Sequence, residues 1–362
     1  MPKSTKQIYD SKTPQITPRV EDEISIVMSC DDDYAMYAAV TIQSVLSHAI
    51  SGNYTVYILG ENLSEYAKNN LLDMATDHVH INYVDVKQYM AQYPTELFYT
   101  DSHYSLAIYY RLFIPSIFQH FKKVIYCDCD AVFVKDPALL YHIDLTDKLV
   151  AAVTDPGRVY QIYRGDTYCS EFLQLKNPLN YFQTGLLVFH IPLMREFDFT
   201  RKCLDALKRL KTPTLPDQDV MNIVCEGRVA FLNMAWNALA TLLSWYPDFE
   251  RQVPAEMVQE CKKALEDPYF IHWGGKEKPW KDMFLQKEKI WWHYARQTPF
   301  YEQILVKYLN FLTQHKQAYA QLSRQYVRCR FLARFTWGKR HRHYVEKASC
   351  LLRQLQHIEP LL

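Results

Sequence analysis

The segment YCDCDAVFVKD, residues 126 to 136, sets two kinds of metal-binding group side by side: carboxylates at Asp128 and Asp130, thiols at Cys127 and Cys129. On an extended chain, side chains two apart share a face. The aspartates can then converge on one cation while the cysteines point the other way. A thiolate zinc centre takes four ligands, with spacings such as C-x-x-C, and this C-x-C has no second pair. A hard divalent cation on the carboxylates is the better match, with the cysteines as small packed residues. The plainer alternative is that two acids cap a strand in a solvated turn.

A third ligand is available far downstream. In PYFIHWGGKEKPW (268–280), His272 ends an apolar run, and Gly274, Gly275, Lys276 and Lys278 follow. An imidazole beside two carboxylates moves the preference from Mg²⁺ toward Mn²⁺. Glycines let backbone approach a ligand closely. A metal, a glycine turn and a lysine together suit a diphosphate. A single histidine after a strand is otherwise an ordinary core residue.

A sheet must bring these residues together. ISIVMSC (24–30), YTVYILG (54–60) and VHINYVDV (79–86) read as strands. YAMYAAVTIQSVLSH, after Asp31-Asp32-Asp33, and SEYAKNNLLDMATD (64–77), with Ser64 as N-cap, read as the helices between them. The alternation predicts a parallel α/β sheet, with ligands at the carboxyl ends of its strands, where Asp31 and Asp33 fall. HYSLAIYYRLFIPSIF (103–118) reads as a helix ending near Pro115, and KKVIYCDCDAVFVKD as a strand leading into the acid motif. LVAAVTD (149–155) and YFQTGLLVFH (181–190) read as strands, and LPDQDVMNIVCEG (215–227) as a helix with acids in its first turn.

The ordered set SCDDDYAMYAAVTIQSVL, AIYYRLFIP, KVIYCDCDAVFVKD, AVTD, YFQTGLLVFH, PDQDVMN and HWGGKEKPW resembles glycosyltransferase family 8, in the pattern of bacterial lipopolysaccharide galactosyl- and glucosyltransferases. The resemblance runs from about 24 to 280. It implies a GT-A fold (Rossmann-like, nucleotide-binding) and retaining transfer of galactose or glucose from a UDP-sugar held through Mn²⁺, with Mg²⁺ as the substitute. It places Asp128, Asp130 and His272 on the metal, Lys278 and Gly275 at the donor diphosphate, and Asp31 and Tyr34 at the uracil. Arg111 falls near the donor sugar and diphosphate, Asp155 near the sugar hydroxyls, and Gln218 beneath the anomeric carbon with Asp217 beside it. Asp33, Cys129 and Gln183 complete the expected donor site. Two positions depart from the family pattern: Asp33 stands where Asn is frequent, and Phe182-Gln183-Thr184-Gly185 replaces F-N-A-G or F-N-S-G. The longer Gln183 is expected to reshape the sugar pocket. The acceptor implied is a lipopolysaccharide core or another cell-surface glycan. The alternative function is a catalytically silent nucleotide-sugar-binding or partner-binding protein of the same fold.

The rest of the 362-residue chain bounds these readings. A 49% hydrophobic content supports a sizeable core, and a net charge of +1 argues against a nucleic-acid partner. The polar, proline-bearing stretch 1–23 reads as a flexible arm without the apolar core of a secretory signal, and 24–285 as the catalytic domain. No run is apolar enough to span a membrane. Nine scattered cysteines suit free thiols and a cytoplasmic setting. From about 286 to 362 the chain reads as helical, Trp/Tyr-rich and then basic. Nine Lys or Arg between 324 and 353 face only Glu346, with Phe331, Phe335, Trp337 and Tyr344 interleaved. That composition predicts attachment to an anionic membrane, here the inner face of the cytoplasmic membrane. The segment KIWWHYARQTPF (289–300) is expected to pack on the catalytic domain or line the acceptor groove.

Overall fold

The computed structural model describes residues 16–50, 52–98, 105–282, 285–336 and 339–358. Among them a seven-stranded sheet runs in the order β3-β2-β1-β4-β7-β6-β8. Its strands are β1 (Ile24–Ser29), β2 (Tyr54–Gly60), β3 (Val79–Asp85), β4 (Lys123–Cys127), β6 (Val150–Thr154), β7 (Phe182–His190) and β8 (Val229–Phe231). A second sheet has the order β5-β10-β9, from Ala131–Phe133, Phe270–His272 and Ala238–Leu239. The expected α/β class holds, but the large sheet is mixed: β7 is antiparallel to both β4 and β6.

The strands are apolar on both faces because both are covered. Ile24, Ile26 and Met28 of β1 enter one core, with Ile125 and Cys127 of β4 and Leu186 and Val188 of β7. Val27, Val124, Tyr126, Leu187 and Phe189 enter the other. The period of two thus sends Cys127 and Tyr126 to opposite sides.

Several elements differ from expectation. Segment Leu106–Phe113 is helical, of the 3-10 type, but Pro115 lies in the first turn of a following helix, Ile114–Ile117, instead of ending one. A proline is tolerated there because its missing N–H has no intrahelical partner to lose. The helix capped by Ser64 stops at Leu72, with the Ser64 hydroxyl accepting from Ala67 N–H at 3.2 Å. At the edge of the N-terminal stretch, Glu23 is buried and accepts from the Tyr57 hydroxyl at 2.8 Å. Residues 1–15 of that stretch, and Trp337 of the basic region, lie outside the described residues.

The C-terminal region is helical: Glu288–Ala295, Tyr301–Arg334 and Lys339–Ile358. Trp291 and Trp292 of the first of these helices join the first core. The last two helices share a small core of Cys329, Ala348 and Leu351. No helix among the described residues is long and apolar enough to cross a membrane.

Candidate active site

Strand β4 stops at Cys127 and β5 starts at Ala131, so Asp128, Cys129 and Asp130 form a bend between the two sheets rather than the end of a strand. The bend is tied at both ends. Asp128 N–H donates to the Gly185 carbonyl of β7 at 2.9 Å, and the Asp130 carbonyl accepts from Trp273 N–H at 3.1 Å. The cysteines turn inward. Burial pushes the Cys127 thiol well above its ordinary range, which opposes a thiolate centre. The Cys129 thiol donates to the Ser29 carbonyl at 3.3 Å, and the Cys129 carbonyl accepts from Thr41 Oγ1 at 3.1 Å. The Cys129 side chain is thus turned toward the end of β1.

His272 closes the acid pair. Its Nε2 lies 3.2 Å from Asp130 Oδ1 and 3.9 Å from Asp128 Oδ2. One ligand atom from each of the three residues falls within 4.8 Å of the others. The other ring nitrogen, Nδ1, is 3.0 Å from Asn237 Oδ1, which leaves Nε2 for a cation. Asp130 Oδ1 is buried and has no hydrogen-bond partner. Buried acceptors are rarely left so, and a cation between it and His272 would satisfy it. Two carboxylates and one imidazole fit Mn²⁺ or Mg²⁺ better than a soft metal.

Charge compensation is built in. Lys278 Nζ donates to Asp130 Oδ2 and, at 2.6 Å, to the Trp273 carbonyl. Burial opposes a charge on Asp130, but Lys278 and His272 outweigh it and hold that carboxyl well below the usual carboxylate range. Gly275 takes a left-handed φ of 71°, and a Cβ there would lie 2.1 Å from the Trp245 ring. The turn thus requires glycine both for its backbone and for its packing.

Arg111 links the acid motif to a second group of buried polar residues. Its guanidinium donates at 2.7 Å to Asp128 Oδ1 and at 2.7 Å to the Thr184 carbonyl, and lies 3.2 Å from Asp217 Oδ2. It also sits over the Tyr126 ring, 4.4 Å from the centroid. Burial raises the Asp217 carboxyl, and Arg111 pulls the other way. Gln218 Nε2 donates to Asp155 Oδ2 at 2.9 Å, while its Oε1 accepts from Thr184 N–H at 3.1 Å. Asp155 also caps the Pro156–Tyr163 helix, accepting from Arg158 N–H at 3.0 Å.

The residues expected at the base lie after β1. Asp31 accepts from Tyr34 N–H at 3.0 Å, and Tyr34 is 38% exposed with its ring edge-on to Trp280 at 6.1 Å. Asp33 is exposed, and its observed partner is Lys307 of the long C-terminal helix at 3.4 Å. Gln183 does not stand alone in a sugar pocket: its Oε1 accepts from Asn237 Nδ2.

Four site residues escape sequence reasoning: Tyr126, Thr184, Gly185 and Asn237. A Cβ on Gly185 would lie 2.3 Å from His272 Cε1, so this strand glycine makes room for the ligand. Asn237 was detectable as a lone amide inside the apolar run MAWNALA, since a buried amide needs partners.

A mixed sheet with a metal-type acid pair at the carboxyl end of a central strand defines a GT-A glycosyltransferase. The chain belongs to glycosyl transferase family 8, whose model matches residues 25–283. It is 25% identical over 270 residues to General stress protein A of Bacillus subtilis, covering 72% of this chain and 88% of that one. It is 23% identical over 266 residues to a lipopolysaccharide 1,2-glucosyltransferase of Escherichia coli, covering 72% and 74%. Among solved structures it is similar to the bifunctional glycosyltransferase WbbM, with a TM-score of 0.72 and 29% identity, covering 81% of this chain but only 53% of that longer one. The galactosyltransferase LgtC in complex with donor and acceptor sugar analogues superposes with a TM-score of 0.64 at 20% identity, covering 76% of this chain and 96% of LgtC.

Proposed function

We propose that the protein is a retaining, Mn²⁺-dependent hexosyltransferase that moves galactose or glucose from a UDP-sugar to a hydroxyl of a lipopolysaccharide or related surface glycan. The observation that carries this reading is the unsatisfied buried Asp130 Oδ1 facing His272 Nε2 beside Lys278, on a chain of this family. Asp128, Asp130 and His272 would hold the cation, which when bound offsets the charge developing on the departing diphosphate. Lys278 supplies a second positive charge, and the Tyr34 face offers a stacking surface for the base.

The residues near the sugar disfavour a covalent route. The Gln218 Oε1 already accepts from Thr184 N–H, and its Nε2 donates to Asp155 Oδ2. Asp217 is paired with Arg111 and accepts from Thr184 Oγ1 at 3.1 Å. Gln218 carries an amide, a far weaker nucleophile than the carboxylate that retaining glycosidases use, and both contacts of the Asp217 carboxylate fall on Oδ2. In the route favoured here the bond from the anomeric carbon to phosphate breaks, the acceptor oxygen bonds on the same face, and its proton passes to the departing phosphate oxygen. Gln218 and Asp155 act as a fixed dipole and charge beneath the cationic carbon.

The C-terminal helices suit a lipid-linked acceptor. Phe331 and Phe335 are exposed next to Arg328, Arg330 and Arg334 near the end of the long helix. Aromatic and basic side chains on one helix end favour an anionic bilayer surface. Co-sedimentation of the full chain with anionic liposomes at low salt tests this, and a protein left in the supernatant removes it.

UDP release from a panel of UDP-sugars, with Mn²⁺ or EDTA, tests the main reading on wild type and Asp130→Ala. Metal-dependent turnover of one sugar, lost in the variant, supports it. Binding without turnover, even with lipopolysaccharide acceptors added, favours the silent alternative.

A further inference from the structure

We infer that a second cavity, apart from the metal-type site, is a saccharide subsite that holds a neutral sugar unit of the acceptor glycan. That the cavity takes a sugar rests on its walls; that the sugar belongs to an acceptor rests on the proposed function. The cavity, of about 230 Å³, lies beside the edge strand β8. Neither the acid pair nor His272 nor Lys278 lines it. Phe182 of β7 and Val229 of β8 are buried and give it an apolar floor. Phe231, at the end of β8, is 44% exposed and forms part of the rim.

The polar walls are held in place by the protein itself. Glu226 Oε1 accepts from Lys176 N–H at 2.6 Å and from Asn177 N–H at 3.0 Å, which ties that loop to the end of the helix Pro216–Cys225. Deeper in, the Asn222 amide donates to the Phe182 carbonyl at 2.8 Å and to the Gln218 carbonyl at 2.9 Å. By contrast, the side chains of Lys148, Asn177 and Asn180 make no hydrogen bond or ion pair among the described residues.

These unspent groups define the ligand. An amide offers a donor and an acceptor together, as a hydroxyl does. Lys148 and Glu226 are the only charged residues in the lining and cancel, so the cavity has no net charge to hold a polyanion. A hydrocarbon would leave the amides and the lysine unpaired. A nucleotide would bring its phosphates against Glu226. A pyranose has hydroxyls around its edge and C–H groups on its face, and so uses both the amide walls and the apolar floor with its aromatic rim. Asn222 lies four residues beyond Gln218 on one helix, about 6 Å along its axis. A short oligosaccharide spans that separation.

Asn180 and Phe231 are exposed, so Asn180→Leu and Phe231→Ala can be made without opening the core. Saturation-transfer NMR on the full chain in EDTA, with methyl β-galactoside and methyl α-glucoside as probes, reads binding without turnover. Wild type is expected to bind at least one of them, and each variant to bind it about 3- to 10-fold more weakly. With delipidated lipopolysaccharide core oligosaccharide as acceptor, the same variants should raise its KM while leaving kcat and acceptor-free hydrolysis of the UDP-sugar unchanged. A merely structural role would not separate these quantities. No saturation transfer in wild type, or wild-type affinity in both variants, overturns the subsite. Tighter binding of glucose 6-phosphate, lost in Lys148→Ala, overturns its neutral character. An unchanged oligosaccharide KM in variants that have lost the methyl glycoside overturns the link to the acceptor. Sugar binding that the variants weaken, in a protein that turns over no UDP-sugar, sinks the proposed function and supports the subsite.

Discussion

A Cβ added to Gly185 would lie 2.3 Å from Cε1 of His272. Gly185 is also tied by its carbonyl to the backbone N–H of Asp128, so one residue of β7 borders two of the three metal-type residues. Gly185→Ala must displace either the ring or the strand. Overpacking of this kind costs about 1–3 kcal/mol. A lower melting temperature together with lost Mn²⁺ binding is expected, and an alanine variant that still binds Mn²⁺ normally would show that the close approach is unimportant.

Arg111 compensates Asp128 and Asp217 at once from a buried position. Arg111→Met keeps the volume and leaves two carboxylates without their cation. Breaking a buried pair from one side costs about 3–5 kcal/mol. Urea unfolding should report a loss of that order. Arg111→Lys should recover little of it, because an ammonium cannot reproduce the forked contacts to Asp128, Thr184 and Asp217.

Gln218→Glu replaces a donor by a carboxylate against Asp155 Oδ2, 2.9 Å away. Two carboxylates so close share a proton, which raises one of the two pKa values in the folded state. A raised folded pKa favours folding when the proton is present, and that contribution is lost as pH rises through it. The variant should thus be closest to wild-type stability near about pH 5 and fall behind toward about pH 8. Thermal melts across that range decide it; a pH-independent difference would mean the two side chains separate.

His48 ties the first helix to the C-terminal region, with Nε2 2.8 Å from the Tyr294 hydroxyl. Burial lowers its pKa, with Lys135 acting in the same direction and Asp136 against. A base with a lowered folded pKa takes up its proton first in the unfolded chain. Stability from His48 is therefore present above its ordinary pKa of about 6.5 and declines as pH falls below it. His48→Gln should flatten this part of the stability profile. An unchanged slope in the variant would assign the effect to other groups.

Much of the architecture was legible because strands buried on both faces write themselves as β-branched runs: ISIVMSC, YTVYILG and VIYC each became a strand at nearly the expected bounds. Strand direction is different. Apolar periodicity is the same read up or down, so nothing in YFQTGLLVFH announced that β7 runs against its neighbours. Nor does composition distinguish an i+3 from an i+4 hydrogen-bond pattern at Leu106–Phe113. At the site, the convergence of Asp128, Asp130, His272 and Lys278 was readable, since acids, imidazole and lysine stand out beside apolar strands. Their supports were not. Thr184 and Asn237 act through partners 33 or more residues away, and Gln183 finds its partner 54 residues downstream, separations that local pattern cannot register.

The bend at Asp128–Asp130 joins the two sheets, and its partners arrive late in the chain: Asp130 meets Lys278 across 148 residues. A contact of such high order cannot form from any early fragment. The large sheet can assemble its β1, β2 and β3 strands from local pieces, whereas the cation pocket exists only after the small sheet has docked onto β4. Metal affinity is thus a reporter of final assembly. Late in folding, a divalent ion would bind the native topology and no earlier species, drawing the last docking step forward by mass action.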